Sequence, residues 1–140
     1  MFITAFRRQH LQDIQLQIQT PKDLTLFADP AYGAFLEDGD SYAVYEGDTL
    51  MVCAGVIELM PGRWQAWAML GPDTGKIMVP LTRAVARYFA SRKYKRVETC
   101  IDPNFPEAIR WAELLGFTFE GRMKKYLPNG ADQLLYARVT

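Results

Sequence analysis

The segment Asn104–Phe117 reads NFPEAIRWAELLGF and carries the clearest structural signals of the chain. A proline two residues after an asparagine, with a glutamate one residue later, is typical of a helix that begins with Asn104 as its N-cap. Gly116 is typical of the position just beyond a helix, because glycine readily adopts the left-handed backbone that ends many helices. The segment therefore predicts a helix that ends at Leu115 and leads into a strand from Phe117.

Strands are predicted on both sides of this helix. Before it, Arg96–Ile101 has the apolar and β-branched composition of a strand. After it, Phe117–Tyr126 and Asp132–Val139 predict the two strands of a hairpin, turned by Pro128-Asn129-Gly130.

A second helix is predicted upstream of these strands, from apolar residues at helical spacing. We expect it to start near Gly75 or Lys76 with Asp73 or Thr74 as its N-cap, because Pro80 is tolerated only in the first turn of a helix. The apolar residues that define it are Ile77, Leu81, Val85, Tyr88 and Phe89.

The first half of the chain predicts a strand, short helices and then three antiparallel strands. We place Trp64 and Trp67 on one side of the last strand. The order β-α-α-β-β-β-α-β-α-β-β predicts an α/β chain of the α+β kind, a mixed seven-stranded sheet with helices on both faces. The predicted elements are strand Phe2–Phe6, helix Arg7–Leu16, helical pieces Asp23–Phe27 and Ala31–Glu37, and strands Ser41–Tyr45, Thr49–Leu59 and Arg63–Leu70.

Composition restricts the class of protein. A chain of 140 residues, 49% hydrophobic and 23% charged, suits a single globular domain, residues 1–140. No apolar run approaches the roughly 20 residues that a membrane-spanning helix needs, and the N-terminus lacks the apolar core of a secretory signal, so we expect a cytoplasmic protein without a membrane partner. Cys53 and Cys100 form no CxxC motif and His10 is the only histidine, so the sequence predicts no metal site.

A net charge of zero conceals a segregation of charge along the chain. Eight acidic residues and no lysine or arginine lie between Asp23 and Glu58, whereas seven basic residues and no acid lie between Lys76 and Arg96. Such segments indicate either sites for a cationic and an anionic ligand, or solvated faces, or faces that complement each other within the fold. The overall balance, without a basic motif interleaved with aromatic residues, argues against nucleic acid as a partner.

The predicted order and several short motifs resemble the GCN5-related N-acetyltransferase (GNAT) family. The resemblance covers most of the chain and is sharpest over Val97–Val139. More narrowly, the chain is similar to small GNAT-like proteins of tailed phages and prophages, among whose relatives are internal virion or assembly proteins. The motifs that carry the resemblance are Asn104, the helix with Ala108 near its start, Gly116-Phe117, Glu120-Gly121-Arg122 and Asn129-Gly130-Ala131-Asp132.

The resemblance implies the acyl-CoA N-acyltransferase fold and acetyl-CoA as cofactor. In that family the loop after the fourth strand presents backbone N–H groups to the pyrophosphate, and the following helix adds its N-terminal dipole. Gly75 then permits close approach, Lys76 pairs with a phosphate, and N–H groups of the fourth strand polarise the thioester carbonyl. The implied cofactor-binding residues are Met69, Leu70, Thr74, Gly75, Lys76 and Asn104, the last through the pantetheine arm.

The chain departs from the family pattern in this loop. The family usually has Arg/Gln-x-x-Gly-x-Gly/Ala, and alignment on Gly75 places Pro72 and Ile77 at the first and last of these positions. We expect Ile77 to put a bulky side chain where a phosphate must come close. The departure favours a weakened pyrophosphate site.

The acid and base that the resemblance implies are assigned to other positions. Many family members carry a tyrosine that protonates the departing thiolate, and Ala112 stands at that position here. Tyr126 is our candidate acid, with Tyr136 as the second choice, because both fall on the last two predicted strands. Glu58 is our candidate base, with Asp102 second.

Two functions of different classes follow. The first is an acetyl-CoA-dependent N-acetyltransferase, in which a small-molecule or protein amine attacks the thioester directly. The alternative is a catalytically inactive protein of the same fold, a phage virion or assembly component with phage structural proteins as partners, or a protein-binding component. A coenzyme A sensor lies between them, and binding of coenzyme A separates the enzyme from the inactive protein.

Overall fold

Seven strands form one sheet in the computed structural model, which describes residues 1–14 and 30–140. The strands are β1 (Phe2–Ala5), β2 (Asp40–Glu46), β3 (Thr49–Met60), β4 (Arg63–Leu70), β5 (Arg96–Ile101), β6 (Thr118–Met123) and β7 (Gln133–Val139). Their order across the sheet is β1-β2-β3-β4-β5-β7-β6. The pairing of β4 with β5 is parallel and that of β5 with β7 is antiparallel, so the predicted mixed seven-stranded sheet is confirmed.

The helices of the described residues follow the predicted order, with shifted boundaries. They are α1 (His10–Asp13), α2 (Pro30–Glu37), a 3-10 turn (Thr74–Ile77), α3 (Met78–Ser91) and α4 (Pro106–Leu114). The predicted helix Arg7–Leu16 is shorter at both ends within the described residues, and the predicted helical piece Asp23–Phe27 lies outside them. Helix α3 begins after the 3-10 turn, which leaves Pro80 in its first turn, as expected.

The chain divides into two compact units. The first unit comprises Met1–Ile57 and Ala66–Leu81, and the second comprises Glu58–Gln65 and Thr82–Thr140. In the first unit the antiparallel strands β1, β2 and β3 pair in sequence. The apolar core of this unit is formed by Phe6, Ile14, Leu36, Cys53, Ile57 and Met69.

The second unit is built around β5. The start of β4 pairs with β5, with Trp64 opposite Val97 and Gln65 opposite Glu98. Strand β7 pairs with both β5 and β6. Phe89 of α3 contacts Phe117 edge to face, with ring centroids 5.7 Å apart. The helices α3 and α4 are joined in the same unit by the hydrogen bond from Trp111 Nε1 to the Thr82 hydroxyl, 2.9 Å long.

The two tryptophans of β4 lie on opposite faces of the strand, so their predicted shared side is wrong. They are three residues apart, and side chains alternate between faces with a period of two. The ring centroids of Trp64 and Tyr94 are 4.6 Å apart, whereas the Trp67 ring packs against Phe6 with centroids 5.3 Å apart. Each therefore packs inside its own unit.

Helix α4 ends as the sequence predicts and begins differently. Gly116 has φ +92°, and the N–H groups of Gly116 and Phe117 donate to the carbonyls of Glu113 and Ala112. This pair of hydrogen bonds is the Schellman arrangement that a glycine after a helix permits.

The N-cap prediction for Asn104 is wrong, because Phe105 occupies the capping position and no side chain caps the helix. The backbone N–H of Asn104 instead donates to the Asp102 carboxylate at 2.9 Å. This Asx turn at residues 102–104 places the N-cap of α4 one residue later than predicted.

The connection between β6 and β7 is longer than predicted. The Asp132 carboxylate accepts hydrogen bonds from the Lys125 backbone N–H (2.9 Å) and from Arg122 Nε (2.7 Å), which bends the chain away from the sheet after Met123. Tyr126 therefore lies in the connection and not on a strand. The turn at residues 127–130 is confirmed, because the Gly130 N–H donates to the Leu127 carbonyl at 2.8 Å.

Candidate functional site

A buried threonine stabilises the loop that follows β4 by hydrogen bonds to backbone carbonyl groups. The Thr74 hydroxyl is 2.6 Å from the carbonyl oxygen of Gly71 and 3.2 Å from that of Met51, and the Gly71 N–H donates to Met51 as well. These contacts attach residues 71–77, here named the Thr74 loop, to strand β3. The predicted capping by Asp73 or Thr74 is wrong, since Asp73 makes no capping bond and the Thr74 hydroxyl serves carbonyl groups instead.

The outer side of the Thr74 loop is open at Gly75. A Cβ at this position would meet no heavy atom within 4 Å, and its φ is not left-handed. Neither packing nor backbone conformation within the described residues therefore requires glycine here. Across residues 1–14 and 30–140, the N–H groups of Asp73 and Gly75 have no protein acceptor. Exposed N–H groups on a glycine-containing loop are the usual elements of an anion-binding site.

Lys76 adds an exposed positive charge to this loop. Its Nζ is 3.9 Å from the Asp73 carboxylate, and the two side chains are 77% and 60% exposed. A pair at that distance and exposure is weak, so the ammonium can turn to a ligand.

Ile77 does not obstruct the loop. Its side chain is only 3% exposed, so the expectation of a bulky group at the ligand surface is wrong. Burial of this apolar side chain in the first unit explains the difference. Pro72 is exposed and, lacking an N–H, offers a ligand no backbone donor.

The Thr74 loop fits the pyrophosphate group of acetyl-CoA by chemistry. It offers two N–H donors without acceptors, an ammonium group and open space at a glycine. Met69 is buried and Leu70 is half-buried at the end of β4. The Met69 side chain belongs to the apolar core of the first unit, so only its backbone groups are available to a ligand.

Tyr126 of the second unit is paired with a cysteine. Tyr126 is 54% exposed, and its hydroxyl lies close enough to the Cys100 thiol for each group to shift the pKa of the other. The pKa of Tyr126 is raised above 10.0, first by the charge that Cys100 carries when ionised and then by partial burial. Burial likewise raises the pKa of the Cys100 thiol. Both groups therefore keep their protons across the neutral range.

A chain of alternating charges lies beside this pair in the same unit. Glu98 accepts two hydrogen bonds from Arg63, at 2.7 and 3.0 Å, and one from Arg96 at 2.8 Å. Arg96 also donates two hydrogen bonds to Glu120. The pKa of Glu98 is lowered, chiefly by the hydrogen bonds from Arg63. Sequence reasoning missed this network, although the spacing of Arg96, Glu98 and Cys100 places them on one face of β5.

The remaining candidates of the second unit are dispersed. Glu58 is exposed near the end of β3, and it is not among the described groups that shift the pKa of Tyr126. Tyr136 is buried and its ring contacts Phe119, which makes it the poorer acid candidate. Asn104 is exposed, and Asp102 serves the turn before α4. The structure thus groups the predicted loop residues of the first unit, while Glu58 and Tyr126 both belong to the second unit.

Two further properties concern metals and membranes. Within residues 1–14 and 30–140, no three His, Cys, Asp or Glu side chains are grouped to bind a metal ion. In the same part of the chain, each helix is too short or too polar to cross a membrane.

Comparison with known proteins gives structural relatives alone. No protein-family model and no curated protein sequence matches the chain. Solved structures match over 99% of it, including an N-acetyltransferase from Staphylococcus aureus Mu50 with a TM-score of 0.74, 16% identity and 96% of that chain covered. The ribosomal-protein-S18-alanine N-acetyltransferase from Escherichia coli has a TM-score of 0.70, 15% identity and 92% covered. A spermidine N-acetyltransferase chimera from Vibrio cholerae and hSSAT has a TM-score of 0.70 and 17% identity, with 94% of that chain covered.

These likenesses establish the fold. The chain has the mixed seven-stranded sheet of GNAT acetyltransferase structures, as the sequence predicts. At such low identity they establish nothing about donor or acceptor. They lend no support to the predicted phage subgroup.

Proposed function

We propose that the chain is an N-acetyltransferase that moves the acetyl group of acetyl-CoA to an amine. The observation that carries this proposal is the structure of the Thr74 loop. The buried Thr74 hydroxyl donates a hydrogen bond to the Gly71 carbonyl, and a Cβ at Gly75 would meet no heavy atom within 4 Å. Glycine at this position lets a phosphate approach the backbone closely.

Three residues of the loop hold the donor in this proposal. The N–H groups of Asp73 and Gly75 and the ammonium of Lys76 bind the pyrophosphate, and the N-terminal end of α3 favours the same negative charge. The backbone around Met69 and Leu70 polarises the thioester carbonyl. Asn104 remains our candidate for the pantetheine arm. Bound acetyl-CoA supplies an acetyl group activated as a thioester.

Two side chains of the second unit move protons in this proposal. Glu58 accepts a proton from the amine as the C–N bond forms. Tyr126 gives its proton to the sulfur as the C–S bond breaks, which its raised pKa permits because the phenol is fully protonated at neutral pH. After this step Glu58 holds one proton more and Tyr126 one proton fewer, and exchange with water returns the proton to Tyr126, so that protons and bonds balance. No covalent enzyme intermediate arises.

Acetyl transfer to a panel of amines tests the proposal, with release of free coenzyme A as the readout. We expect turnover by the wild-type chain and a kcat about 100-fold lower in Tyr126→Phe, with unchanged affinity for acetyl-CoA. Tyr45→Phe removes a phenol hydroxyl of the first unit and serves as the matched control. Equal kcat in Tyr126→Phe and wild type would remove Tyr126 from the mechanism.

The inactive alternative is favoured by Ala112, a buried alanine at the family's tyrosine position, and by Pro72. Binding of acetyl-CoA without turnover on any amine would indicate a sensor. Absence of binding would indicate that the fold is kept without its cofactor.

A further inference from the structure

The connection between β6 and β7 carries surplus positive charge. Residues 122–132 contain three basic side chains, Arg122, Lys124 and Lys125, and one acid, Asp132, which gives a net charge of +2 (3 − 1). The Asp132 carboxylate is already bound by Arg122 Nε and by the Lys125 backbone N–H. The side chains of Lys124 and Lys125 are both exposed, so their charges face solvent.

Lys125 has an unusual backbone conformation. Its φ of +51° is the one positive value at a non-glycine position in the described part of the chain. Lysine enters this left-handed region at a cost, whereas glycine or asparagine enters it readily. The hydrogen bond from its N–H to Asp132 holds the strained residue directly before Tyr126. Strain of this kind is frequent at binding sites, where the side chain is needed.

Two carboxylates of the same unit, Glu98 and Glu120, are already bound by arginines. Glu98, which acts on the Tyr126 phenol, accepts hydrogen bonds from both Arg63 and Arg96. Glu120 is bound by Arg96. Lys124 and Lys125 directly precede Tyr126 in the chain and their side chains are exposed, whereas both of these carboxylates are already paired with arginine.

We infer that the acceptor is an acidic peptide, whose carboxylates bind Lys124 and Lys125 while its amine lies beside Tyr126. This inference rests on the proposed function and names its substrate class. A polyamine would be repelled by the same two ammonium groups, so the acidic first half of the chain does not decide acceptor choice.

Two peptides that differ only in charge test the inference. Ala-Glu-Glu-Tyr-amide and Ala-Arg-Arg-Tyr-amide each carry one amine, and spermidine supplies a polycation. We expect kcat/KM for the acidic peptide to exceed that for the arginine peptide by at least about tenfold, and the ratio to fall in 0.5 M salt as the charges are screened.

Lys125→Asn removes the charge and keeps a residue that tolerates the left-handed backbone. We expect the preference for the acidic peptide to fall about fivefold in this variant, with unchanged affinity for acetyl-CoA. Lys93→Asn, an exposed lysine outside the connection, is the matched control and should leave the preference intact.

The outcomes separate this inference from the proposed function. Turnover without preference, or with preference for spermidine or the arginine peptide, overturns the inference and leaves the proposed function standing. If no amine is acetylated, the proposed function fails, and titration of the acidic peptide followed by NMR decides the inference alone. Amide shifts confined to residues 122–132 and weakened in Lys125→Asn support it, and their absence overturns it.

Discussion

Two tryptophans differ in whether their indole N–H finds an acceptor. Trp111 Nε1 donates to the Thr82 hydroxyl at 2.9 Å. Trp67 Nε1 is buried and has no partner in residues 1–14 and 30–140. A buried donor without an acceptor costs free energy, whereas a satisfied one contributes a small net stabilisation.

Replacement of each tryptophan by phenylalanine tests this difference. Trp111→Phe leaves the Thr82 hydroxyl without its donor, so we expect it to lower the free energy of unfolding by about 2 kcal/mol. Trp67→Phe removes an unsatisfied donor along with some packing contacts, and we expect it to lower the free energy of unfolding by less than about 1 kcal/mol. Urea denaturation measures both. A larger loss in Trp67→Phe would mean that its N–H is satisfied after all.

Single residues were predictable where one local conformation decides their role. Gly116 follows from helix termination, which its φ of +92° confirms. The same kind of rule predicts Asn104 as a cap, yet the Asp102 carboxylate accepts a hydrogen bond from the Asn104 backbone N–H and the helix starts later. Burial of Ile77 depends on the core of its unit, which spacing does not reveal.

At the scale of elements, the charged network joins three strands of the second unit. Arg63 on β4, Arg96 and Glu98 on β5, and Glu120 on β6 form one series of ion pairs. The Glu98 side chain is 9% exposed, so its charge is largely withdrawn from water. A carboxylate in that position is stable only while both arginines remain bound to it.

Acid should weaken this network. The folded-state pKa values of Glu98 and Glu120 lie below their ordinary value of 4.5, chiefly because of hydrogen bonds from arginine. Their stabilisation is therefore fully present above about pH 4.5 and is lost as pH falls through the lowered values. We expect Glu98→Gln to lower the free energy of unfolding by about 2 kcal/mol at pH 7 and to flatten its decline below about pH 4.5. An equally steep decline in the variant would contradict this account.

Most elements were predictable because their signals are local. Apolar runs and turn residues gave the strands of the sheet, with ends displaced by one or two residues in most cases. Tyr126 was assigned to a strand because the run from Phe117 is unbroken in sequence, whereas Asp132 bends the chain earlier. The charged network was missed because it depends on which strands are neighbours.

For the molecule as a whole, part of the segregated charge is paired within each unit. Arg8 of the first unit binds Glu37 through its backbone N–H at 2.8 Å and its guanidinium at 3.2 Å. Arg96 of the basic segment is paired in the second unit. Lys76 keeps only a distant partner, so the anion-binding interpretation depends on the Thr74 loop and not on the basic segment in general.

The fold was predictable from the sequence, whereas the reaction was not. Element order and a few motifs suffice for a sheet topology, and structures 15–17% identical to this chain share it. Those structures include acetyltransferases of spermidine and of a ribosomal protein, so one fold serves unlike acceptors. Within one fold, the acetyl acceptor therefore depends on features other than the sheet topology.

Calorimetric titration with acetyl-CoA tests the central claim, that the Thr74 loop binds the donor. We predict micromolar affinity in the wild type and at least about tenfold weaker binding in Gly75→Ala, whose methyl group would occupy the space left for a phosphate. Gly121→Ala is the matched control, because a Cβ there also meets no heavy atom within 4 Å. Equal affinity in Gly75→Ala and the wild type, or no binding at millimolar acetyl-CoA, would contradict the account.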